Sequence, residues 1–242
     1  MKNVSKVIIF IFIILCLMLL FIYRKIIFIN HPPKERYPIS GIDVSHYQGE
    51  IDWNILASQD VDFAFIKATE GSSFVDEYFK QNWNNASDTS IILGAYHFFS
   101  FESSAETQAD NYIKTVGSLS GKLPPVIDFE FYRNYANNPP DMNSTRTELH
   151  DLLDILEKHY GVKPIIYTTV KTYYKYIKDE FYDYPLWIRN VYYSPNIGMA
   201  NKWVFWQYTD RATLLGYSGS EKYIDMNVYH GTEEDFKSLI LK

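Results

Sequence analysis

The stretch LPPVIDFEFY, residues 123–132, decides how the chain is read. Val126, Ile127 and Phe129 have the apolar density of a buried strand, entered through Pro124 and Pro125. The strand ends in two acids, Asp128 and Glu130. Side chains at i and i+2 of a strand point the same way, so both carboxylates face one side of the strand's end.

Outward from this stretch, short apolar runs alternate with amphipathic ones. Strands are expected at 41–45 (GIDVS), 62–69 (DFAFIKAT), 90–99 (SIILGAYHFF), 123–129 and 163–169 (KPIIYTT). Helices are expected between them. Asp52 caps one, and residues 76–87 form a second. Ser103 with Glu106 forms a capping box for a third, ending near Val116. Thr145 with Glu148 forms another, followed by the stripe Leu149, Leu152, Leu153 and Leu156. A short Tyr-rich helix follows the fifth strand. YPLWIRN, KWVFWQYT and KYIDMNVY then read as three strands with little helix between them. The fold class is therefore α/β: an irregular TIM-like barrel of about five βα units followed by three strands. No glycine-rich phosphate loop follows the first strand, which weighs against a nucleotide-binding α/β fold.

The amino terminus has its own character. Val7 to Tyr23 is an uncharged, mostly apolar run of roughly 17 residues, close to the minimum for a membrane-spanning helix. No small-residue cleavage site follows it before Pro32, so an uncleaved anchor is expected rather than a signal peptide. Bulky Leu15 and the apolar residues beyond Cys16 argue against lipid modification there. The expected organisation is a membrane anchor over 1–30, an extended Pro-rich linker over 31–40 and a catalytic-sized domain over 41–242. Basic residues flank the apolar run on both sides, so the positive-inside rule leaves its orientation open.

Composition narrows the function classes. Cys16 is the only cysteine, which excludes disulfides and thiolate zinc sites from the rest of the chain. Residues 1–30 hold four of the 23 Lys and Arg residues and none of the 29 acids. The remainder carries 19 basic against 29 acidic residues, a balance of −10. Nucleic acid is a poor partner for that charge. Aromatics make up 17% of the chain, 21 of them Tyr, a share that suits sugar stacking but equally a Tyr-rich core.

Working residues of such barrels sit at the carboxyl ends of the strands. Those ends offer Asp43, Ser45 and His46; Lys67 and Glu70; Tyr96 and His97; Asp128 and Glu130; Tyr167; Trp187 and Arg189; Gln207; and Asp225 with Asn227. Two close carboxylates do not both ionise cheaply, so one pKa rises. A carboxylic acid protonated near neutrality is what glycosidic cleavage needs, because the leaving oxygen must receive a proton. The plainer alternative is acids that cap loops or face water. A divalent cation held by the four acids is another. His46 and His97 read as proton carriers or as satisfied core histidines. Trp53, Trp83 and Trp203 read as packing. No cofactor or metal is expected.

The blocks GIDVSHYQGEIDW, FAFIKATEG, GAYHFF, AETQADNYI, LPPVIDFE, PIIYTT, LWIRN, WVFWQYT and YIDMNVYHG occur in order from Gly41 to Gly231. Together they resemble the family 25 glycoside hydrolases, the Chalaropsis-type lysozymes. The resemblance implies an N-acetylmuramidase that hydrolyses the β-1,4 bond between N-acetylmuramic acid and N-acetylglucosamine in bacterial peptidoglycan. It implies Glu130 as general acid, with Asp128, Asp43 and Asp225 as the other catalytic acids. It implies Tyr96, Tyr167, Trp187 and Gln207 as groove residues. A substrate-assisted route is favoured, in which Asp128 orients the substrate's N-acetyl group and Glu130 acts as acid and then base. The other route is attack by a carboxylate. A non-catalytic wall-binding or scaffold domain, or a glycosidase for chitin, are the competing functions. The chain departs from the family at WIRNVY, where Arg189 replaces a small residue, and over 131–141. Arg189 is open to three roles: pairing with the acids, binding a substrate carboxylate, or pointing outward. Action on peptidoglycan implies a single-pass protein anchored in the cell membrane through residues 7–23, with its catalytic domain outside.

Overall fold

The computed structural model describes residues 2–23, 30–195 and 203–242. Helix α1 (Lys2–Tyr23) precedes β1 (Ser40–Val44), α2 (Trp53–Ala57), β2 (Phe63–Glu70), β3 (Phe74–Val75), α3 (Phe79–Ser87), β4 (Ile92–Phe98) and α4 (Ala105–Val116). Then come β5 (Val126–Phe129), α5 (Met142–Tyr160), β6 (Ile165–Thr169) and α6 (Val170–Thr172), which runs on as a π-helical turn over Tyr173–Ile177. β7 (Leu186–Arg189), β8 (Trp203–Ala212), β9 (Ile224–Tyr229) and α7 (Glu233–Ser238) complete the order.

Eight strands close on themselves. The sheet runs β1-β9-β8-β7-β6-β5-β4-β2, and β1 pairs with β2 to shut it. From β1 through β2, β4, β5, β6 and β7 to β8 the neighbours are parallel, and β9 runs antiparallel to both β8 and β1. Helices follow β1, β2, β4, β5 and β6, as the alternation of the sequence implies; β7 and β8 have none, and β9 is followed by the short α7, which the sequence reading did not expect. β3 is a two-residue strand laid antiparallel on the end of β2.

Strands covered on both faces lose their polar alternation, and β2 shows this. Phe63 and Phe65 enter the barrel, while Ala64, Ile66 and Ala68 face the helices. The interior rings fit because glycines stand beside them. A Cβ on Gly94 would lie 2.5 Å from the Phe65 ring, and one on Gly41 2.4 Å from the Phe63 carbonyl oxygen. The floor is plugged by α7, whose Phe236 packs on Phe63, Phe205 and Tyr229. The apolar filling thus occupies the amino-terminal end and leaves the carboxyl ends of the strands for polar groups.

Local chemistry moves some boundaries. Asp52 caps α2 as expected, accepting from the Asn54 and Ile55 amides. α3 starts at Phe79 rather than Asp76, because Asp76 closes a turn with the Tyr78 and Phe79 amides. α5 starts a turn before the expected box, with Asp141 accepting from Asn143 and Ser144. Thr145 is then buried within the helix. Glu148 reaches across to α4 instead and accepts from the Ala105 amide at 2.7 Å. The expected Ser103–Glu106 box is replaced by this long-range cap.

Residues 31–40 make contacts with the barrel. Tyr37 is buried against Trp203 and Trp206, Lys34 pairs with Asp60 at 2.7 Å, and the buried Asn30 amide donates to the Asn190 and Tyr208 carbonyls. α1 carries exposed apolar side chains from Val7 onward. Among the described residues no helix is long and apolar enough to cross a membrane, so the expected span over 7–23 is not met by them.

Candidate active site

The strand ends build a cleft of about 440 Å³ at the carboxyl-terminal mouth. Asp43, Tyr96, Asp128, Glu130, Tyr167, Trp187 and Asp225 all line it, gathered from β1, β4, β5, β6, β7 and β9. Period-two geometry does the aiming. Val126 points into the barrel and Phe129 out to the helices, so Asp128 and Glu130 follow Val126 toward the mouth. A larger hollow of about 680 Å³ lies off this mouth beside Trp53 and Tyr217. Its acids, Glu50, Asp52 and Asp88, are exposed.

Asp43 and Asp225 occupy paired positions across β1 and β9. Gln207 lies beneath them rather than on the groove surface, being 1% exposed. Its Nε2 donates to both Asp43 oxygens, at 2.9 and 3.1 Å, and to Asp225 at 3.0 Å. Asn227 adds a donor to Asp43 at 2.7 Å. Each amide is aimed by a third group: the Tyr167 hydroxyl donates to the Gln207 carbonyl at 3.1 Å, and the Trp187 indole to that of Asn227 at 2.8 Å. Tyr167 and Trp187 therefore touch the cleft on one side and orient its amides on the other.

All four acids are pushed above the usual carboxylate range, and burial is the largest cause for each. Asp43 is restrained by the hydrogen bonds from Asn227 and Gln207. Asp225 is raised further by the charges of Asp43 and Asp210. Asp128 is driven well up by burial and then by the charge of Glu130. Its Oδ1 is buried without a hydrogen-bond partner. Glu130 is raised by burial, opposed by Arg189 and Lys67. Burial raises both carboxyl groups of the D-x-E pair, so the pair as a unit retains a proton toward neutrality, which proton donation requires, while its other member can carry charge.

The expected alternatives resolve as follows. Arg189 forms an ion pair with Asp210 at 2.7 Å and sits on the rim of the acid cluster. His97 is fully buried between Thr69 and Gln108, at 2.7 and 3.1 Å, and burial lowers its pKa to about 4. It is a satisfied core histidine. Trp53 donates to Asn82, and Trp203 stacks on His230. Residues 131–141 are tied down by aromatic contacts: Tyr132 stacks on Phe101 and accepts from its amide. Among the described residues no group of three or more His, Cys, Asp or Glu is arranged to hold a metal ion.

The cleft also contains residues that reading by strand ends did not single out. Asp210, Arg211, Glu221 and Tyr223 line it, as do Tyr47 and Phe98, and the Glu221 amide donates to the Tyr47 carbonyl at 2.9 Å. Lys67, which that reading placed at a strand end, pairs with Glu70 at 2.7 Å beside the acids.

The model of the glycosyl hydrolases family 25 matches residues 42–217. A family 25 glycosyl hydrolase from Bacillus anthracis superposes with a TM-score of 0.82 at 52% identity, covering 87% of this chain and 97% of that one. A bacterial lysozyme from Streptomyces coelicolor gives 0.76 at 32% identity, over 84% and 96%. Lysozyme M1 from Streptomyces globisporus is 31% identical over 217 residues, 83% of this chain and 70% of its own length.

Proposed function

This chain belongs to the family 25 glycosyl hydrolases, and from that premise we propose that it is a muramidase. Its substrate is then bacterial peptidoglycan, cut at the β-1,4 bond between N-acetylmuramic acid and N-acetylglucosamine. The observation that carries the mechanism is the buried, unpartnered Oδ1 of Asp128 beside Glu130. A buried acceptor without a donor costs free energy, and a substrate acetamido N–H fills it.

Glu130 holds the proton for the leaving oxygen, and Asp128 accepts from the N-acetyl nitrogen and turns its carbonyl oxygen toward the anomeric carbon. As the glycosidic bond breaks, that oxygen closes on the carbon, and Asp128 balances the positive charge on the cyclised group. Glu130, now a carboxylate, takes a proton from water as it opens the ring. Asp43 and Asp225, with Gln207 between them, shape the electrostatic floor. Tyr96, Tyr167 and Trp187 line the groove around the sugar.

Peptidoglycan lies outside the membrane, so this reading places residues 31–242 outside. The apolar run Val7–Tyr23 supports a tether in the cell membrane, and the enzyme then remodels the wall near its anchor. Membrane fractionation tests this part: release of an active form lacking residues 1–30 into the medium contradicts it.

The reaction is tested by digesting purified peptidoglycan and identifying the new reducing end. Reducing muramic acid, released with retention at the anomeric carbon, is the expected product. Reducing glucosamine, inversion, or cleavage of chitin alone contradicts the proposal.

A further inference from the structure

The mouth's rim over β1 and β2 carries a ladder of rings that the reaction does not use. Tyr47 is 56% exposed and Phe74 44%. The His46 ring lies between them, 4.1 Å from Tyr47 and 6.1 Å from Phe74 by centroids. The rings come from two separate segments, the turn after β1 and strand β3.

A buried group holds the ladder in place. Asp76 is 2% exposed. Its Oδ2 accepts from the His46 amide at 3.0 Å and from His46 Nδ1 at 2.8 Å, and its Oδ1 accepts from the Tyr78 amide at 3.0 Å. Burying a carboxylate is costly unless its lone pairs are filled. Here they are filled in fixing one ring of a surface ladder, so the site is organised before anything binds.

The ladder is continuous with the cleft. Tyr47 and Phe98 both line the cleft, and the Lys67 ammonium sits 4.9 Å over Phe98 and 5.4 Å over Phe74. Charged residues, Asp210, Arg211 and Glu221, line the same cleft, and the Glu221 amide donates to the Tyr47 carbonyl at 2.9 Å. Rings and charged groups therefore stand side by side along one cleft, which matches a pyranose chain with its apolar C–H faces and hydroxyl edges.

We propose that Tyr47, His46 and Phe74 form a second carbohydrate site, a stacking platform for a sugar of the same glycan strand beyond the bond that is cut. The proposal rests on the muramidase reading for the identity of that strand. The platform adds affinity for long strands and leaves the chemistry at Glu130 alone.

The test uses the full chain and glycan fragments of four, six and eight alternating sugars. In the wild type, KM falls with length. Phe74→Ala and Tyr47→Ala each lose about fivefold of that gain, the loss falling on KM rather than kcat, and Tyr47→Phe keeps it. A length gain that survives both alanine variants, or no length gain in the wild type, overturns the platform. Failure of the wild type to cut any fragment instead sinks the muramidase reading. Calorimetric titration of Glu130→Gln with the same fragments then reads the platform without cleavage, and affinity independent of length overturns it.

Discussion

Asp43 and Asp225 face each other across β1 and β9, and one side-chain amide, that of Gln207, serves both. Two side-chain amides meet the oxygens of the pair, Gln207 reaching both acids and Asn227 reaching Asp43. Gln207→Leu removes the shared donor and strands the Tyr167 hydroxyl. The expected result is a loss of about 2–3 kcal/mol of stability and about tenfold of kcat/KM. Chemical denaturation and steady-state kinetics measure the two effects.

Asp128 is a site of stored instability. Its folded pKa is well above the usual range, chiefly through burial. Folding therefore takes up a proton, and the contribution to stability falls as pH rises from the unfolded value of about 4 through the folded pKa. Asp128→Asn removes that loss. The variant is expected to be roughly 1–2 kcal/mol more stable than the wild type at neutral pH while losing about 100-fold or more in kcat. Melting curves across pH, set beside rates, check both signs.

Asp210 keeps Arg189 occupied. Phe129 pairs with Thr168, and Thr169 with Arg189, so Glu130 stands level with Arg189 two strands away. Removing the charge on Asp210 leaves the guanidinium to pull on Glu130. Asp210→Asn is expected to lower the Glu130 pKa and move the alkaline limb of kcat/KM down by about one pH unit. Arg189→Met in the Asp210→Asn background moves it back up. An unchanged limb in both variants removes Arg189 from the electrostatics of the reaction.

His97 works in the opposite direction to Asp128. Its pKa falls from 6.5 in the unfolded chain to about 4 in the barrel, so acidification through that window favours the unfolded chain, by roughly 3 kcal/mol once both states are protonated. His97→Gln keeps a hydrogen-bonding side chain and removes the titration. Its melting temperature is expected to fall less than that of the wild type between about pH 6.5 and 4.

Much of this was legible in the sequence because barrel strands carry period-two information. The D-x-E pair, the Asp43 and Asp225 strand ends and the five βα units followed by three strands need only that rule. What escaped the sequence depends on contacts between distant segments. Glu148 looks like a capping-box partner of Thr145, yet it caps α4 because Asp141 captures the start of α5 first. Asp210 and Arg211 fell outside the expected strand, which continues to Ala212 because register shifts against β9 accommodate the polar residues. Gln207 reads as a groove residue, but its amide is drawn under the floor by two acids. β3 is two residues long, too short for any periodicity, although it places Phe74 on the rim.

The central claim, that Glu130 gives its proton to the leaving oxygen, is tested by changing the leaving group. Glu130→Gln and the wild type are compared on peptidoglycan and on an aryl glycoside whose phenolate leaves without protonation. The account predicts a loss of about 1,000-fold or more on peptidoglycan and a far smaller loss in the bond-breaking step on the aryl substrate. Equal losses on both substrates, or peptidoglycan cleavage preserved in Glu130→Gln, would contradict it.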